Sequence, residues 1–242
     1  MPIFQLPDEI LFPPPDLADE SGILAVGGDL TEERLLLAYS MGIFPWYSEG
    51  DPILWWSPDP RLVLFPGEMK VSRSLKQTMN RGTFTITMDT AFESVIRECA
   101  LIHQRSAGDT WITDKMIEAY IHLHHSGFAH SVESWSDDTL VGGLYGVSLG
   151  SAFFGESMYA KKSNASKVAF VRLIQQLGKW QFTLIDCQVA TKHLKTFGAH
   201  DIPRAEFMAL LKRSLKEKTR RGKWTFSSHR NASKGSLENE RC

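Results

Sequence analysis

Prolines set the first limit on this chain. Between Ile43 and Pro66, the stretch IFPWYSEGDPILWWSPDPRLVLFP carries five of them. Each fixes φ and removes a backbone donor, so no long helix can run through. The stretch reads as loop with short strand pieces, RLVLF being a strand. Residues 1–21, rich in proline and acid with FPPPD at 12–16, read as an extended or looping arm. Between the two, GGDLTEERLLLAYSMG has helix signals. Asp29 or Thr31 caps it, Glu32 and Glu33 occupy the first turn, Leu35, Leu36 and Tyr39 make an apolar face, and Gly42 closes it. A domain boundary is expected near residues 58–66.

Beyond that boundary the pattern becomes regular. Lys70–Arg81 reads as a basic helix, FTITMD as a strand, and Ala91–His103 and Asp114–Ser126 as helices. AHSVESW, TLVGGLYGVSL and GSAFFGESMYA read as successive antiparallel strands. NASKVAFVRLIQQLGKW follows as a helix capped by Asn164, then FTLIDCQVA as a strand and a last helix over about 204–216. Residues 212–223 hold seven basic side chains against one acid. They open a tail read as a solvated, mobile end rather than a binding arm.

Composition excludes some classes of function. The formal net charge of −1 means that a nucleic-acid partner must be held by a local basic patch. An apolar content of 43% with 23% charged residues is that of a soluble globular chain. Three cysteines without a C-x-x-C suit free thiols in a reducing compartment. The N-terminus lacks a signal-peptide pattern, and no apolar run approaches the ~20 residues that span a bilayer. The expected location is cytoplasmic, with no membrane partner.

The stretch TLIDCQVA, Thr183 to Ala190, interrupts an apolar run with an acid, a thiol and an amide. Strand alternation puts Cys187 with Ile185 and Val189, where it acts as a small buried hydrophobe with a raised thiol pKa. Asp186 and Gln188 then share the other face, either to cap a neighbouring helix or to converge on one bound group. GVSLG, Gly146 to Gly150, matches the G-x-S-x-G elbow of serine hydrolases, with Asp186 and His193 or His200 following in triad order. The elbow needs a helix after its turn, whereas another apolar strand follows, so the stretch reads as a hairpin connection. The histidines of YIHLHHSGFAH lack ligand spacing, and no metal site is read. Glu156, between Phe154 and Met158, is an acid on an apolar strand: either the partner of a buried Arg or a carboxylate awaiting a cationic ligand. Phe44, Trp46, Tyr47, Trp55 and Trp56 are stacking platforms or ordinary packing. Lys70, Arg73 and Lys76 share a helix face that could meet phosphates.

Several blocks occur in one order: GILAVGGDLTEERLLLAYSMGIFPWYSEGDPILWWSPDPR, TWIT, LVGGLYGV, FGESM, NASK and LIDCQ. Through them the chain resembles the leucyl/phenylalanyl-tRNA–protein transferases of bacteria, from about Gly22 to Phe207. The resemblance implies an α+β fold. A small N-terminal α+β lobe (1–63) would precede a larger domain similar to acyl-CoA N-acyltransferases (GNAT-like, 64–215), with a mixed, mostly antiparallel sheet flanked by helices. A basic tail (216–242) would follow. It further implies transfer of Leu, Phe and, less efficiently, Met from aminoacyl-tRNA to the N-terminal amine of proteins beginning with Arg or Lys, marking them for the N-end rule pathway.

By the same resemblance, Asp186 and Gln188 stand at the reaction centre and Glu156 belongs to the same pocket. Phe153 and Leu144, the latter a Met in some members, line the side-chain pocket. Trp46 and Trp111 contact the 3′ adenosine of the tRNA, and Arg73, Lys76 and Arg81 face the acceptor stem. The ester is already activated, so no cofactor is expected, and a monomer is the simplest state. The rival readings are a serine hydrolase using Ser148 and a non-catalytic tRNA-binding module.

Overall fold

The computed structural model describes residues 3–107 and 110–226. Two sheets divide the chain where its pattern changes. The first has the order β1-β2-β4-β3. It is built from β1 (Phe4–Leu6), β2 (Ile23–Gly27), β3 (Phe44–Pro45) and β4 (Leu54–Trp56), with helix α1 (Glu32–Ser40) between β2 and β3. Its strands are short because the prolines leave few ladder donors.

The second sheet begins at β5 (Arg61–Leu64) and takes in β6 (Thr85–Met88), β7 (Ala129–Ser136), β8 (Thr139–Leu149), β9 (Ala152–Ala160), β10 (Leu184–Gln188) and β11 (His200–Ile202). Its order is β11-β5-β10-β9-β8-β7-β6. Neighbours are antiparallel except β9 and β10, which run parallel. Helices α2 (Arg73–Asn80), α3 (Phe92–Ala107), α4 (Asp114–His125), α5 (Ala165–Lys179), α6 (Lys192–Lys195) and α7 (Arg204–Ser214) flank it. The fold class is α+β, with a mixed sheet covered by helices.

Alternation along the strands divides the core into two layers. Val63, Tyr145, Val147, Phe154 and Leu184 face a cluster shared with α3, α4, α7 and the first sheet, including Tyr39, Phe44 and Trp55. Leu62, Leu64, Leu144, Phe153, Ile185 and Cys187 face a second cluster under α5. Each such side chain fully withdrawn from water contributes about 1.5–3 kcal/mol. The apolar period of α5 therefore fixes which face it covers.

Helix α1 starts after Thr31, whose side chain makes no cap bond, and Asp29 accepts the Thr31 N–H at 2.9 Å instead. Thr113 accepts from the Met116 N–H at 3.3 Å as the cap of α4, and Ser72 accepts from the Leu75 N–H at 3.2 Å at the start of α2. Asn164, expected to cap α5, makes no side-chain cap bond. It sits at φ 68° in the tight connection from β9, a left-handed position that asparagine tolerates. GVSLG is not a connection: Gly146 to Leu149 continue β8, and the turn is Gly150–Ser151.

The expected tail begins too early at 216. Residues 216–226 lie along the body of the protein, and Trp224 is 2% exposed. The Thr219 hydroxyl accepts from the Gly150 N–H at 2.8 Å, and the Arg221 guanidinium donates to the Ser126 carbonyl at 2.8 Å. A Cβ on Gly127 would sit 2.3 Å from the Gly222 nitrogen, so the two segments can touch only through glycine. The basic composition hid this, because Arg220 and Arg221, though exposed, also lie over the Trp180 and Phe128 rings. Residues 227–242 lie outside the described residues.

Candidate active site

The parallel pair β9–β10 comes apart midway. Its register runs Leu184↔Ala152, Ile185↔Phe153, Asp186↔Phe154 and ends there. Beyond it each strand carries a bulge. On β9, Tyr145 and Gly146 of the neighbouring strand face Ser157 and Gly155, leaving Glu156 as the extra residue. On β10, Val63 and Leu62 face Asp186 and Gln188, leaving Cys187 extra. Bulges bend a strand and re-aim its side chains. Here two of them, at one level of the sheet, open a gap between neighbouring strands. A pocket of about 390 Å³ occupies it.

The pocket is mostly apolar. Leu144 of β8, Phe153 of β9, Phe170 and Leu173 of α5, and Ile185 and Cys187 of β10 line it, with Trp46 and Trp111 also in its wall. A Cβ on Gly146 would fall 2.5 Å from the Phe153 ring and 2.2 Å from the Phe154 carbonyl oxygen, so only glycine lets that ring lie across β8. Trp46 is 38% exposed and leans on Trp56, with ring centroids 5.3 Å apart.

Glu156 and Gln188 bridge the gap that the backbones leave. The Gln188 side-chain amide donates to Glu156 Oε1 at 2.9 Å. The hydroxyl of Tyr39, from α1, donates to the same oxygen at 2.7 Å, and that of Tyr120, from α4, to Oε2 at 3.1 Å. The two hydroxyls also lie within hydrogen-bonding reach of each other, and their two protons serve all three contacts only when Glu156 carries a proton of its own. Burial raises the Glu156 pKa to about 7, against the opposing pull of these three donors, with the Asp186 charge adding to the rise. This carboxylate exchanges its proton near neutrality.

Asp186 stands behind this cluster, not in it. It is fully buried. Arg61 Nε donates to its Oδ1 at 2.8 Å and Nη2 to its Oδ2 at 2.7 Å. The Arg61 guanidinium is held between the Phe44 and Phe207 rings, 4.8 and 4.6 Å from their centroids. Asp186 Oδ1 also accepts the Gln188 backbone N–H at 2.9 Å, and Gln188 has φ 59°. Asp186 and Gln188 therefore do not converge side by side, one of the two roles that alternation left open. The bulge turns one toward Arg61 and the other toward Glu156, and neither caps a helix. Cys187 does keep Ile185 for company, with its thiol pKa pushed up by burial.

Of the residues singled out from the sequence, Trp46, Trp111, Leu144, Phe153, Glu156 and Gln188 all line the pocket, whereas Asp186 does not. Arg73, Lys76 and Arg81 are exposed on and just after α2, outside the pocket lining. Ser148 is fully buried inside β8 and is no part of the lining, so a hydrolase triad does not form. Among the described residues no helix is long and apolar enough to cross a membrane. Sequence reasoning missed Tyr39, Tyr120 and Arg61. Tyr39 had been assigned to an apolar helix face, and nothing local marked the other two as partners of residues 36 and 125 positions away.

Fold and site together define an α+β protein with an apolar slot for a side chain and a hydrogen-bonded acid–amide pair in its wall. Family models give that class a name. Residues 63–212 match the leucyl/phenylalanyl-tRNA protein transferase model, and residues 28–59 match the model of that family's N-terminal domain. The protein named leucyl/phenylalanyl-tRNA–protein transferase in Myxococcus xanthus (strain DK1622) is 60% identical over 93% of this chain and 97% of its own. Those of Anaeromyxobacter sp. (strain Fw109-5) and Desulforapulum autotrophicum are 59% and 55% identical, each over 94% of this chain and over 97% and 99% of their own. The chain belongs to the leucyl/phenylalanyl-tRNA–protein transferase family and is an aminoacyltransferase.

Proposed function

We propose that this enzyme moves leucine, phenylalanine and, less efficiently, methionine from aminoacyl-tRNA to the N-terminal amine of proteins beginning with arginine or lysine. The product is thereby marked for degradation by the N-end rule pathway. The observation that carries this reading is the pocket: an apolar slot of about 390 Å³ whose wall holds Glu156 and Gln188. An unbranched or γ-branched apolar side chain fills such a slot, while a polar one loses its hydrogen bonds on entry. Trp46 and Trp111 are aromatic surfaces for the terminal adenosine of the tRNA, and the exposed cations Arg73, Lys76 and Arg81 meet its acceptor stem.

The acceptor amine nitrogen attacks the ester carbonyl carbon. A C–N bond forms, the C–O ester bond breaks, and the ribose oxygen leaves as a hydroxyl, taking up the proton that the amine gives to Glu156. The amine has a reference pKa of about 7.7–8, so it sheds its proton near neutrality without a strong base. Holding amine and carbonyl about 3–3.5 Å apart is the larger task. Gln188 and Glu156 orient the amine, and Glu156, titrating near 7, takes its proton. Asp186 acts through Gln188, whose backbone N–H it holds. We also read the seven-stranded sheet, with its opened parallel pair, as a GNAT-like domain, residues 1–63 as a small α+β lobe, and the enzyme as a monomer.

The test is incubation with radiolabelled leucyl-tRNA and peptides that differ only in their first residue. Peptides starting with Arg or Lys acquire label and one starting with Glu does not. Equal labelling of all three contradicts the acceptor assignment, and no labelling contradicts the reaction.

A further inference from the structure

Behind the pocket lies a feature that the reaction does not use. Phe153 shows one side of its ring to the slot. Trp224 stands behind it, with ring centroids 6.1 Å apart. The Trp224 indole is stacked on His130 at 3.6 Å and 7°. Trp180 and Phe182 pack against it edge-to-face, with ring centroids 5.0 and 5.8 Å away. The Trp224 backbone N–H donates to Asp89 Oδ2 at 2.6 Å, and the indole Nε1 donates to the Arg220 carbonyl at 3.0 Å, so both the main chain and the ring are tied. Asp89 is in turn bound to His130 Nδ1 at 2.8 Å and to the Ser131 N–H at 2.8 Å. A row of rings thus runs from a buried Asp–His pair, through Trp224, to the wall of the slot.

We propose that Trp224, held by the segment 216–226, is a specificity-determining residue: it fixes the position of Phe153 and with it the depth of the amino-acid pocket. Phe153 cannot move toward β8, because its ring already lies against Gly146. Its freedom is backward, into the space that Trp224 fills. Packed interiors tolerate little empty volume, so removing the indole draws Phe153 back and deepens the slot. A deeper slot favours phenylalanine over leucine. The inference rests on the aminoacyl-tRNA reading of the pocket, but it concerns selection rather than transfer.

The experiment compares the full chain with Trp224→Leu and Trp224→Phe, measuring kcat/KM for phenylalanyl-tRNA and leucyl-tRNA with one Arg-initiated peptide. Trp224→Leu shifts the ratio toward phenylalanine by about tenfold, the discrimination that roughly one methylene supplies. Trp224→Phe, which keeps a ring behind Phe153, stays nearer the wild type. If Trp224 is packing alone, both substrates slow equally and the ratio holds, which overturns the proposal. Binding of the amide-linked 3′-leucylamino- and 3′-phenylalanylamino-adenosines reads the same selectivity without any transfer. If the wild type transfers nothing yet the two affinities shift in Trp224→Leu, the transfer reading falls and this one stands. If it binds neither compound, both fall.

Discussion

At the scale of single residues, Glu156 is the group whose protonation matters most. Burial favours its neutral form and lifts its pKa from 4.5 to about 7. An acid raised in the folded state carries no penalty below its unfolded pKa. The penalty grows as pH rises through 4.5 and is complete above about 7, where it reaches at most about 3 kcal/mol in this half-buried site. Stability should therefore fall with rising pH across that window. Glu156→Gln removes the titration, so its melting temperature should decline less between pH 5 and pH 8 than that of the wild type. Parallel declines would contradict the assignment. Glu156→Gln should also flatten the rise of kcat/KM through about pH 7.

Asp186 tests a different kind of role. Removing one partner of a buried ion pair costs roughly 3–5 kcal/mol, so Asp186→Ala should melt well below the wild type. Its activity should fall with that of Gln188→Ala, because Gln188 loses the acceptor of its backbone N–H. A stable Asp186→Ala with dead chemistry would instead give the carboxylate a direct part. Alternation along LIDCQ was readable from the sequence as far as Asp186. The bulge at Cys187 depends on how β5 and β10 pair, and no local pattern encodes that.

At the scale of elements, the pocket exists because two strands part and Gly146 lets Phe153 cross the sheet. Gly146→Ala would place a methyl 2.2 Å from the Phe154 carbonyl oxygen. The variant should be destabilised by more than about 3 kcal/mol in denaturant titration, in the range of severe core disruptions. The long strands and helices from β5 to α7 were legible from periodicity, since each has one covered face, whereas the short α6 and β11 were not. In the first sheet only β3 and β4 were legible, as strand pieces among prolines; β1 fell in the expected arm, and β2 gave no strand signal of its own. The anchoring of residues 216–226 was hidden because Trp224 comes at the end of a basic run. Helix α2 offers a separate test. If Arg73 and Lys76 meet phosphates, replacing both by Ala should weaken charged-tRNA binding. The slope of log affinity against log salt should fall by about one per cation removed. The Leu-to-Phe preference should not change, because neither residue lines the pocket.

At the scale of the whole molecule, the first sheet completes the site rather than decorating it. Tyr39 reaches Glu156 from α1, Phe44 covers Arg61, and Trp46 forms part of the pocket wall. The core cluster that holds Tyr39 and Trp55 also holds Tyr120, Tyr145 and Phe154. The two sheets should therefore unfold in one transition, with tryptophan fluorescence and circular dichroism coincident. The central claim is that the acid–amide pair directs an N-terminal amine onto a tRNA-borne ester. Mass spectrometry of an Arg-initiated peptide incubated with leucyl-tRNA tests it most directly. The account predicts one leucine on the peptide's α-amine, abolished when that amine is acetylated. Leucine released free in solution, or attached to an internal lysine side chain, would contradict it.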